Sequence, residues 1–335
     1  MRQDDEGGDP MKTYECEHYV VEQHPDRPTW LAARKKAIGS SDAGAILGYS
    51  SWSSPYSVWV DKTTPEVNDD TAGDADEDET REWGRRLESV VAAKFAEVVP
   101  HIIPPGGVVR PDATIYDPGG FLVVTSKKYP YLSCTPDRLS WDIFAGPPTD
   151  ADFCCEIKTA FYGSYKQWSN DVPAGYQVQI LEQMLVLGVP LGYFAVLGNG
   201  CQFRYHPIRM NDGAAHYVLR GLDRFWQLVK DRREPPADGH EATRHAISKT
   251  YPGNPRAEQV KLSVEFNDVQ KKRAAAAAEA KRQKGIVDEC SNQIRLAMGD
   301  AGEAVTDDNT TLFRWSTGGK SRRLTVKDLT EGRVL

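Results

Sequence analysis

Two acidic residues and a lysine lie at spacings that could support metal-assisted chemistry. Glu156 and Lys158 are two residues apart in the segment Phe153–Thr159, and Asp137 precedes them by a short interval. The segment is rich in residues typical of strands, where alternate side chains point to the same side. Glu156 and Lys158 therefore face one way and Ile157 the other. Mg²⁺ prefers carboxylate oxygens, and a neighbouring lysine can hold or transfer a proton.

Two strands and a turn would have to position these groups. Tyr131–Asp137 is typical of a strand that ends at a proline, and Phe144–Asp150 is a run of turn residues. Strand, turn and strand predict a hairpin that brings Asp137 beside Glu156. Charged residues near strand ends are more often solvated surface groups, so the three residues alone do not establish a catalytic site.

An arginine and a small-residue loop upstream could hold an anion. The stretch around Arg34 predicts a helix with Thr29 as its N-cap. The loop that begins Ile38–Gly48 predicts a second helix capped by Ser40 or Ser41, and its free backbone N–H groups could receive an anion. Arg34 could bind the same anion in bidentate fashion. The alternative is a plain pair of capped helices.

Two further helices carry polar residues beside apolar stripes. Trp83–Phe95 predicts a helix in which Glu88 lies next to the apolar stripe and could point inward. Tyr176–Gly188 predicts another helix, with Gln177 and Gln179 in its first turn and glycine at its end. Taken alone, Glu88 is best interpreted as a surface residue.

The charge of the chain is concentrated in one segment. The net charge of the 335 residues is −7, which is unfavourable for a nucleic-acid partner. Residues 66–82 contain nine acidic residues and one arginine, a local charge of −8, so the other residues sum to about +1 (−7 minus −8). The composition of this acidic segment predicts that it is a solvated loop or is disordered. The remaining surface is then free to carry basic patches.

The order of patterns predicts four parts: a flexible leader over 1–25, a main domain over 26–234, a linker over 235–257, and a helical arm with a β-hairpin over 258–335. The acidic N-terminus does not resemble a secretory signal, and no apolar run reaches about 18 residues. The scattered cysteines show no metal-binding spacing and fit a reducing cytoplasm.

The motifs occur in a fixed order along the chain. In that order they are Trp30, Arg34, Ile38–Asp42, Trp83-Gly84 with Glu88, Thr135-Pro136-Asp137, Glu156-Ile157-Lys158 and Gln177-Val178-Gln179. This ordered set resembles the YqaJ-like viral recombinase family, which includes phage lambda exonuclease, within the PD-(D/E)XK nuclease superfamily. The resemblance covers about residues 28–232, and Arg138 departs from it because the family usually has glycine there.

The resemblance implies an α/β fold with a restriction-endonuclease-like core, in which helices flank a mixed central sheet. It also implies roles for particular residues. The metal ligands would be Asp137, Glu156, the backbone carbonyl of Ile157, and Glu88. Lys158 would orient or activate the attacking water, and Gln177 would act as a conformational or water-positioning residue. The 5′-terminal phosphate would be bound by Arg34, Ser40 and Ser41.

The function implied is a Mg²⁺-dependent 5′→3′ exonuclease acting on double-stranded DNA ends in a phage or prophage recombination system. Two ions are expected, and Mn²⁺ is expected to substitute for Mg²⁺ because both metals accept oxygen ligands. The alternatives are another endonuclease or repair nuclease of the superfamily, and a non-catalytic DNA-binding recombination scaffold. The arm suggests self-association in a ring, docking of a single-strand annealing protein, or a rigid appendage.

Overall fold

The chain is described by a computed structural model over residues 11–64, 75–98, 116–117, 120–142, 153–168, 171–253, 256, 258–318 and 321–329. It divides into two units, Met1–Gly253 and Asn254–Leu335. The elements of the first unit, in chain order, are β1 Lys12–Glu15, β2 Tyr19–His24, α1 Arg27–Arg34, β3 Ile38–Gly39, α2 Ser40–Ile46, α3 Pro55–Thr63, α4 Ala75–Val98, β4 Phe121–Ser126, β5 Leu132–Cys134, β6 Arg138–Leu139, β7 Phe153–Ala160, α5 Tyr162–Tyr165, α6 Ala174–Leu187, β8 Leu191–Gly198, β9 Gln202–Arg209, α7 Asp212–Lys230 and α8 Glu241–Thr250.

Two mixed sheets organise the first unit. One has the strand order β1-β2-β4-β5-β3 and the other the order β6-β7-β8-β9. β3 runs parallel to β5, and β7 runs parallel to β8, whereas the other pairs are antiparallel. The predicted α/β class with mixed strands flanked by helices is confirmed, but the strands form two sheets where the sequence predicted one.

Helix α6 joins the two sheets, because it packs against β4 and β5 of the first and against β7 and β8 of the second. From Ile180 to Leu187 every residue except Leu185 is buried, including the polar Glu182 and Gln183, so this part of the helix is enclosed on several sides. The helix ends at Gly188, whose φ of +73° favours glycine. Ile180, Met184 and Leu187 are buried in the main core, as the sequence predicted.

The opposite side of the second sheet packs against α4. Val91, Ala92 and Phe95 of α4 form a separate cluster with β7 and β8 residues, among them Cys155 and Ile157. Because side chains alternate along β7, Cys155 and Ile157 face α4 while Cys154 belongs to the α6-side core. Glu156 and Lys158 share the parity of Cys154, so they lie on the α6 side.

The second unit consists of α9 Glu265–Met298 and the strands β10 Glu303–Val305, β11 Thr311–Gly318 and β12 Ser321–Asp328. The strands form an antiparallel sheet in the order β10-β11-β12. The sequence predicted the long helix and a two-stranded hairpin, and the third strand was missed. No helix in the part of the chain that the structure describes is long and apolar enough to cross a membrane.

Three predicted boundaries are wrong. Residues 11–25 are not a mobile leader, because β1 and β2 extend the first sheet and Tyr19 and Val21 are fully buried. The predicted linker contains α8, which packs on α3 and buries Thr243 against Ser54. The predicted acidic loop is helical from Ala75 onward, because α4 begins before Trp83.

Parts of several predictions fall outside the described residues. These are residues 1–10 of the predicted leader, residues 66–74 of the acidic segment and the predicted turn at 144–150.

Candidate active site

Asp137 lies where the chain passes from one sheet to the other. The sequence predicted a single strand over 131–137, but Leu132–Cys134 pairs within the first sheet and only Arg138–Leu139 pairs with β7. Pro136 has no N–H group to continue a strand ladder, so the chain breaks there and turns. Asp137 reaches β7 through its side chain, since its Oδ2 accepts a hydrogen bond from the Ile157 N–H at 2.8 Å.

Glu156 is buried in the middle of β7, with 2% of its surface exposed. Its Oε2 accepts hydrogen bonds from Lys158 Nζ at 2.7 Å and from Gln179 Nε2 at 2.9 Å. Its Oε1 accepts a hydrogen bond from Gln183 Nε2. A buried carboxylate is tolerated only when such donors replace water. The two glutamines and the lysine therefore fix the orientation of Glu156.

The electrostatics of Asp137 and Lys158 are set by one another and by Glu156. Burial, and then the charge of Glu156, raise the pKa of Asp137 to about 7, although the Lys158 ammonium and the Ile157 N–H oppose the shift. Burial would lower the pKa of Lys158, but the carboxylates of Glu156 and Asp137 outweigh it and hold that pKa above its ordinary value. Two carboxylates thus share one ammonium.

This charge imbalance fits a divalent cation. Asp137 and Glu156 supply hard oxygen donors of the kind that Mg²⁺ prefers. The C=O of Ile157 points to the same edge of β7 as its N–H, which bonds Asp137, because both groups of one strand residue lie on one side. Among the described residues, no group of three acidic, histidine or cysteine side chains is arranged to hold a metal ion.

Glu88 is engaged elsewhere. Its Oε1 accepts a hydrogen bond from Arg138 Nη1 at 2.8 Å, and the same guanidinium contacts Asp117 Oδ2 at 3.2 Å. Arg138 is paired with Cys155 in register and therefore lies on the α4 side of the sheet. Glu88 thus approaches from the side opposite to Glu156, and its role as a metal ligand stays a prediction.

Arg34 and Ser41 contact each other and form a second wall of the site, apart from the wall that carries Asp137, Glu156 and Lys158. Arg34 Nη2 donates a hydrogen bond to Ser41 Oγ at 3.1 Å, and its guanidinium stacks 4.7 Å from the Trp30 ring. Trp30 is itself fixed, because its Nε1 donates to the Leu122 carbonyl at 2.8 Å. Ser40 is buried, and its Oγ accepts from Gln183 Nε2 at 3.3 Å.

The helix caps at this wall differ from those predicted. Asp26, not Thr29, caps α1, since its Oδ1 accepts the N–H of Thr29 at 2.8 Å. Neither serine caps α2, because its N-cap is Gly39 and the Asp42 carboxylate accepts the Gly39 N–H at 3.0 Å. The longer carboxylate side chain at the third helical position replaces the serine cap, which leaves Ser41 to contact Arg34.

A single cavity of about 280 Å³ joins the two walls. β3 runs parallel to β5, which places the start of α2 beside the end of the strand that leads to Asp137. The cavity is lined by Trp30, Arg34, Gly39, Ser40, Ser41, Val123, Ser133, Cys134, Thr135, Asp137, Glu156, Lys158 and Gln179. The proposed phosphate residues and the carboxylates therefore face the same space.

Gln177 is not placed at the carboxylates. Its amide donates to the Val172 carbonyl at 2.7 Å and lies 3.4 Å from Asp171 Oδ2. Gln179 and Gln183, one helical turn apart on the same face of α6, occupy the position predicted for it. Gln179 and Gln183 are four residues apart and therefore share one face of a helix, and this spacing is the sequence signal that could have identified them.

Comparisons with known proteins agree with the motif order. Residues 29–190 match the YqaJ-like viral recombinase domain family. A relative from Bacillus subtilis (strain 168), named "Uncharacterized protein YqaJ", is 26% identical over 295 residues, which cover 87% of this chain and 84% of the relative.

Solved structures give weaker likenesses. An alkaline exonuclease (LHK-Exo) from Laribacter hongkongensis aligns with a TM-score of 0.40 and 15% identity, over 67% of this chain and 100% of that one. The protein SSO0001 aligns with a TM-score of 0.31 and 12% identity, over 68% of this chain and 98% of that one. Similarity at this level does not establish a shared activity. The family match over residues 29–190 and the order of the motifs therefore point to the same family, to which this part of the chain is similar.

Proposed function

We propose that this protein is a Mg²⁺- or Mn²⁺-dependent exonuclease that digests double-stranded DNA from its ends in the 5′→3′ direction and releases 5′-mononucleotides. Its setting would be a phage or prophage recombination system in the cytoplasm of a bacterial host, where a single-strand annealing protein could take up the product. The polarity, the setting and the partner come from the family resemblance, whereas the site residues support the chemistry.

The observation that carries the proposal is the shared cavity. Asp137, Glu156 and Lys158 line it, and so do Arg34 and Ser41. A nuclease that acts at a DNA end has to hold the terminal phosphate and the scissile phosphodiester at the same time. The cavity offers a cationic, hydroxyl-bearing wall for the first and an acidic wall for the second.

Asp137, Glu156 and the Ile157 carbonyl would hold the metal. Mg²⁺ bound there would lower the pKa of a bound water and offset negative charge on the phosphate. The raised pKa of Asp137 supports this fit, because a cation would favour the ionised carboxylate. Two ions are proposed, and Glu88 could contribute to the second only after it leaves the Arg138 guanidinium.

The remaining residues would position the reacting groups. Lys158 Nζ, which lies 2.7 Å from Glu156, would orient the attacking water and carry a proton. Gln179 and Gln183 would keep the Glu156 carboxylate in place while the substrate binds. Arg34 would bind the terminal phosphate in bidentate fashion, with Ser41 as a further donor.

The test uses linear duplexes labelled at the 5′ or the 3′ end, with and without a 5′-phosphate, beside closed circular DNA. We expect digestion of linear duplex only with Mg²⁺ or Mn²⁺, early release of the 5′ label as a mononucleotide, and none with Asp137→Asn. Arg34→Ala should remove the preference for a 5′-phosphate. A 5′-phosphate preference that survives in Arg34→Ala would remove the anchor role alone.

Cleavage of closed circular DNA would favour the endonuclease alternative. DNA binding with no hydrolysis under any divalent metal would favour the non-catalytic scaffold. Early release of the 3′ label would overturn the proposed polarity and leave the metal site intact.

A further inference from the structure

Helix α9 of the second unit is solvated to an extent that is unusual for its length. It contains 34 residues and is therefore about 50 Å long. From Glu265 to Cys290 every side chain is exposed, including Phe266 at 51%, Val269 at 56% and Val287 at 62%. Most helices in proteins are stabilised by packing of an apolar face, so large exposed apolar residues along one helix call for a partner surface.

Three of the large exposed apolar residues of α9, namely Phe266, Val269 and Val287, fit a heptad repeat, whereas Ile286 and Leu296 lie outside it. Successive steps of three and four residues define a line along the helix, which we call the α9 stripe: Phe266, Val269, Arg273, Ala276, Ala280, Gln283, Val287, Cys290, Ile294 and Ala297. The stripe is apolar except at Arg273 and Gln283, and it runs through more than four heptads. Such a period is the pattern that lets helices wind around one another.

The charged residues of α9 support this assignment. Apart from Arg273, all of them lie outside the stripe, as do the interior glycine Gly285 and the exposed Leu296. Glu279 pairs with Arg282 within the helix, so these two charges need no partner from another chain. The helix therefore has one apolar seam bordered by solvated, internally paired charges.

We propose that the α9 stripe is an interface between two copies of this chain, which pair their α9 helices antiparallel. In this register Phe266 faces Ala297 of the second copy and Val269 faces Ile294. Ala276 faces Val287, so large side chains meet small ones along the seam. The stripe is centred on the helix, and a two-fold axis at its middle makes the surface self-complementary.

Arg273 decides the orientation. A parallel pairing would set Arg273 against Arg273 of the second copy, and burying two like charges together costs several kcal/mol. The one attractive pair that a parallel arrangement adds, Glu279 with Lys284, is worth about 0.2–1 kcal/mol at an exposed position. Antiparallel pairing sets Arg273 against Cys290, and the like charges separate.

The test uses the full chain in a Cys201→Ser background, so that Cys290 is the remaining exposed cysteine among the described residues. In the antiparallel register Cys290 of one copy lies about 25 Å from Cys290 of the other. We expect that a mild oxidant leaves this background uncross-linked and converts the Arg273→Cys variant into a covalent dimer on a non-reducing gel. Cross-linking through Cys290 alone would overturn the antiparallel pairing.

A second measurement tests the interface itself. Sedimentation equilibrium of the wild-type chain should show self-association, and Val287→Glu should weaken it about tenfold or more, because it buries an unpaired charge in the seam. Leu296→Glu is the matched control, since Leu296 is 83% exposed on the same helix but outside the stripe. A monomeric wild type, or equal effects of both variants, would overturn the proposal. Circular dichroism of each variant would check that the helix is kept.

Discussion

On the α6 side of strand β7, Glu156 is buried among two amides and an ammonium; on the α4 side, Arg138 is paired with Glu88 and Asp117. Both sides hold two carboxylates and one cation. The difference lies in solvent, because Glu88 and Asp117 keep 35% and 60% of their side-chain surface exposed. Water can compensate the extra negative charge on the α4 side.

On the α6 side water can compensate less of the extra negative charge. Glu156 is almost fully buried, and the pKa of Asp137 is raised to about 7 by burial and by the Glu156 charge. Desolvation makes each charge interaction stronger and each unpaired charge more costly. The same formal charges therefore stabilise the fold on one side and leave a demand for a further cation on the other. The comparison teaches that burial, and not residue type, separates the candidate site from a structural ion pair.

Among the proposed variants, removal of the Lys158 ammonium from the α6 side should have the largest effect on DNA digestion. Lys158→Ala is expected to lower metal-dependent digestion of linear duplex by about 10²–10⁴-fold, because it removes the ammonium that would orient the attacking water and carry a proton. Lys128→Ala, at an exposed lysine in the first unit, is the control and should digest normally. Wild-type rates in Lys158→Ala would place the chemistry elsewhere in the molecule.

Removal of one amide should have a smaller effect on the same side. Gln183→Leu deletes a donor to the Glu156 carboxylate, and hydrogen bonds to charged groups are worth about 1.5–3 kcal/mol, or about 10–150-fold in rate. Gln177→Leu on the same helix is the matched control and should change the rate less than about threefold, since its amide bonds Val172.

Gln183 also contacts Ser40, so the Gln183→Leu rate should be measured with and without a 5′-phosphate. Equal effects of the two glutamine variants would mean that the α6 side does not depend on the fixed orientation of Glu156.

A substitution on the α4 side should change the stability of the fold. Arg138→Ala strips the buried guanidinium from Glu88 and Asp117, and we expect the free energy of unfolding to fall by about 1–3 kcal/mol, less than for a fully buried pair because both acids are partly exposed. Arg86→Ala, which breaks the exposed pair with Glu82 on α4, should cost less than about 0.5 kcal/mol. Urea unfolding of both variants measures the difference.

The rate of DNA digestion by the Glu88→Gln variant shows which side of β7 Glu88 serves. A loss close to that of Lys158→Ala would mean that Glu88 leaves Arg138 during the reaction and serves the α6 side. A loss no larger than that of Arg138→Ala would make Glu88 structural.

The sequence identified the residues of the α6 side because their chemistry is local. Alternation along β7 was enough to place Glu156 and Lys158 on one face, and the order of motifs was enough to connect Arg34 and Ser41 with them. The sequence did not show which residue supplies the hydrogen-bond partner of each functional side chain. The amide that reaches Glu156 depends on the rotation of α6 against β7, and periodicity alone does not set that rotation, so Gln177 was chosen over Gln179 and Gln183.

The fold predictions failed where tertiary contacts override local pattern. Residues 11–25 contain many charged and polar residues, yet β2 pairs with β4 across a long sequence separation and buries Tyr19 and Val21. The acidic segment lacks apolar residues, but its later part continues the helix whose buried face begins at Val91. Strand pairing at long range and extension of a helix from one end both lie outside what a short window of sequence can indicate.

A last and smaller effect concerns a further buried acid, which lies on helix α6 itself. Glu182 is fully buried, and neither of its carboxyl oxygens has a hydrogen-bond partner among the described residues. Burial, and then the charge of Asp42, raise its pKa well above its usual range, with Lys62 opposing the shift. The folded chain therefore keeps a proton on Glu182 that the unfolded chain releases above about pH 4.3.

This proton makes stability depend on pH in a defined direction. The contribution is fully present below about pH 4.3 and is lost as pH rises through the raised pKa, by at most about 1.4 kcal/mol per pH unit. Glu182→Gln keeps the shape of the neutral acid without the titration, so its advantage over the wild type in urea unfolding should grow as pH rises. The exposed Glu97→Gln is the control and should show no such trend. If the difference between Glu182→Gln and the wild type stayed constant with pH, Glu182 would be ionised in the folded chain, and helix α6 would carry a further unpaired charge.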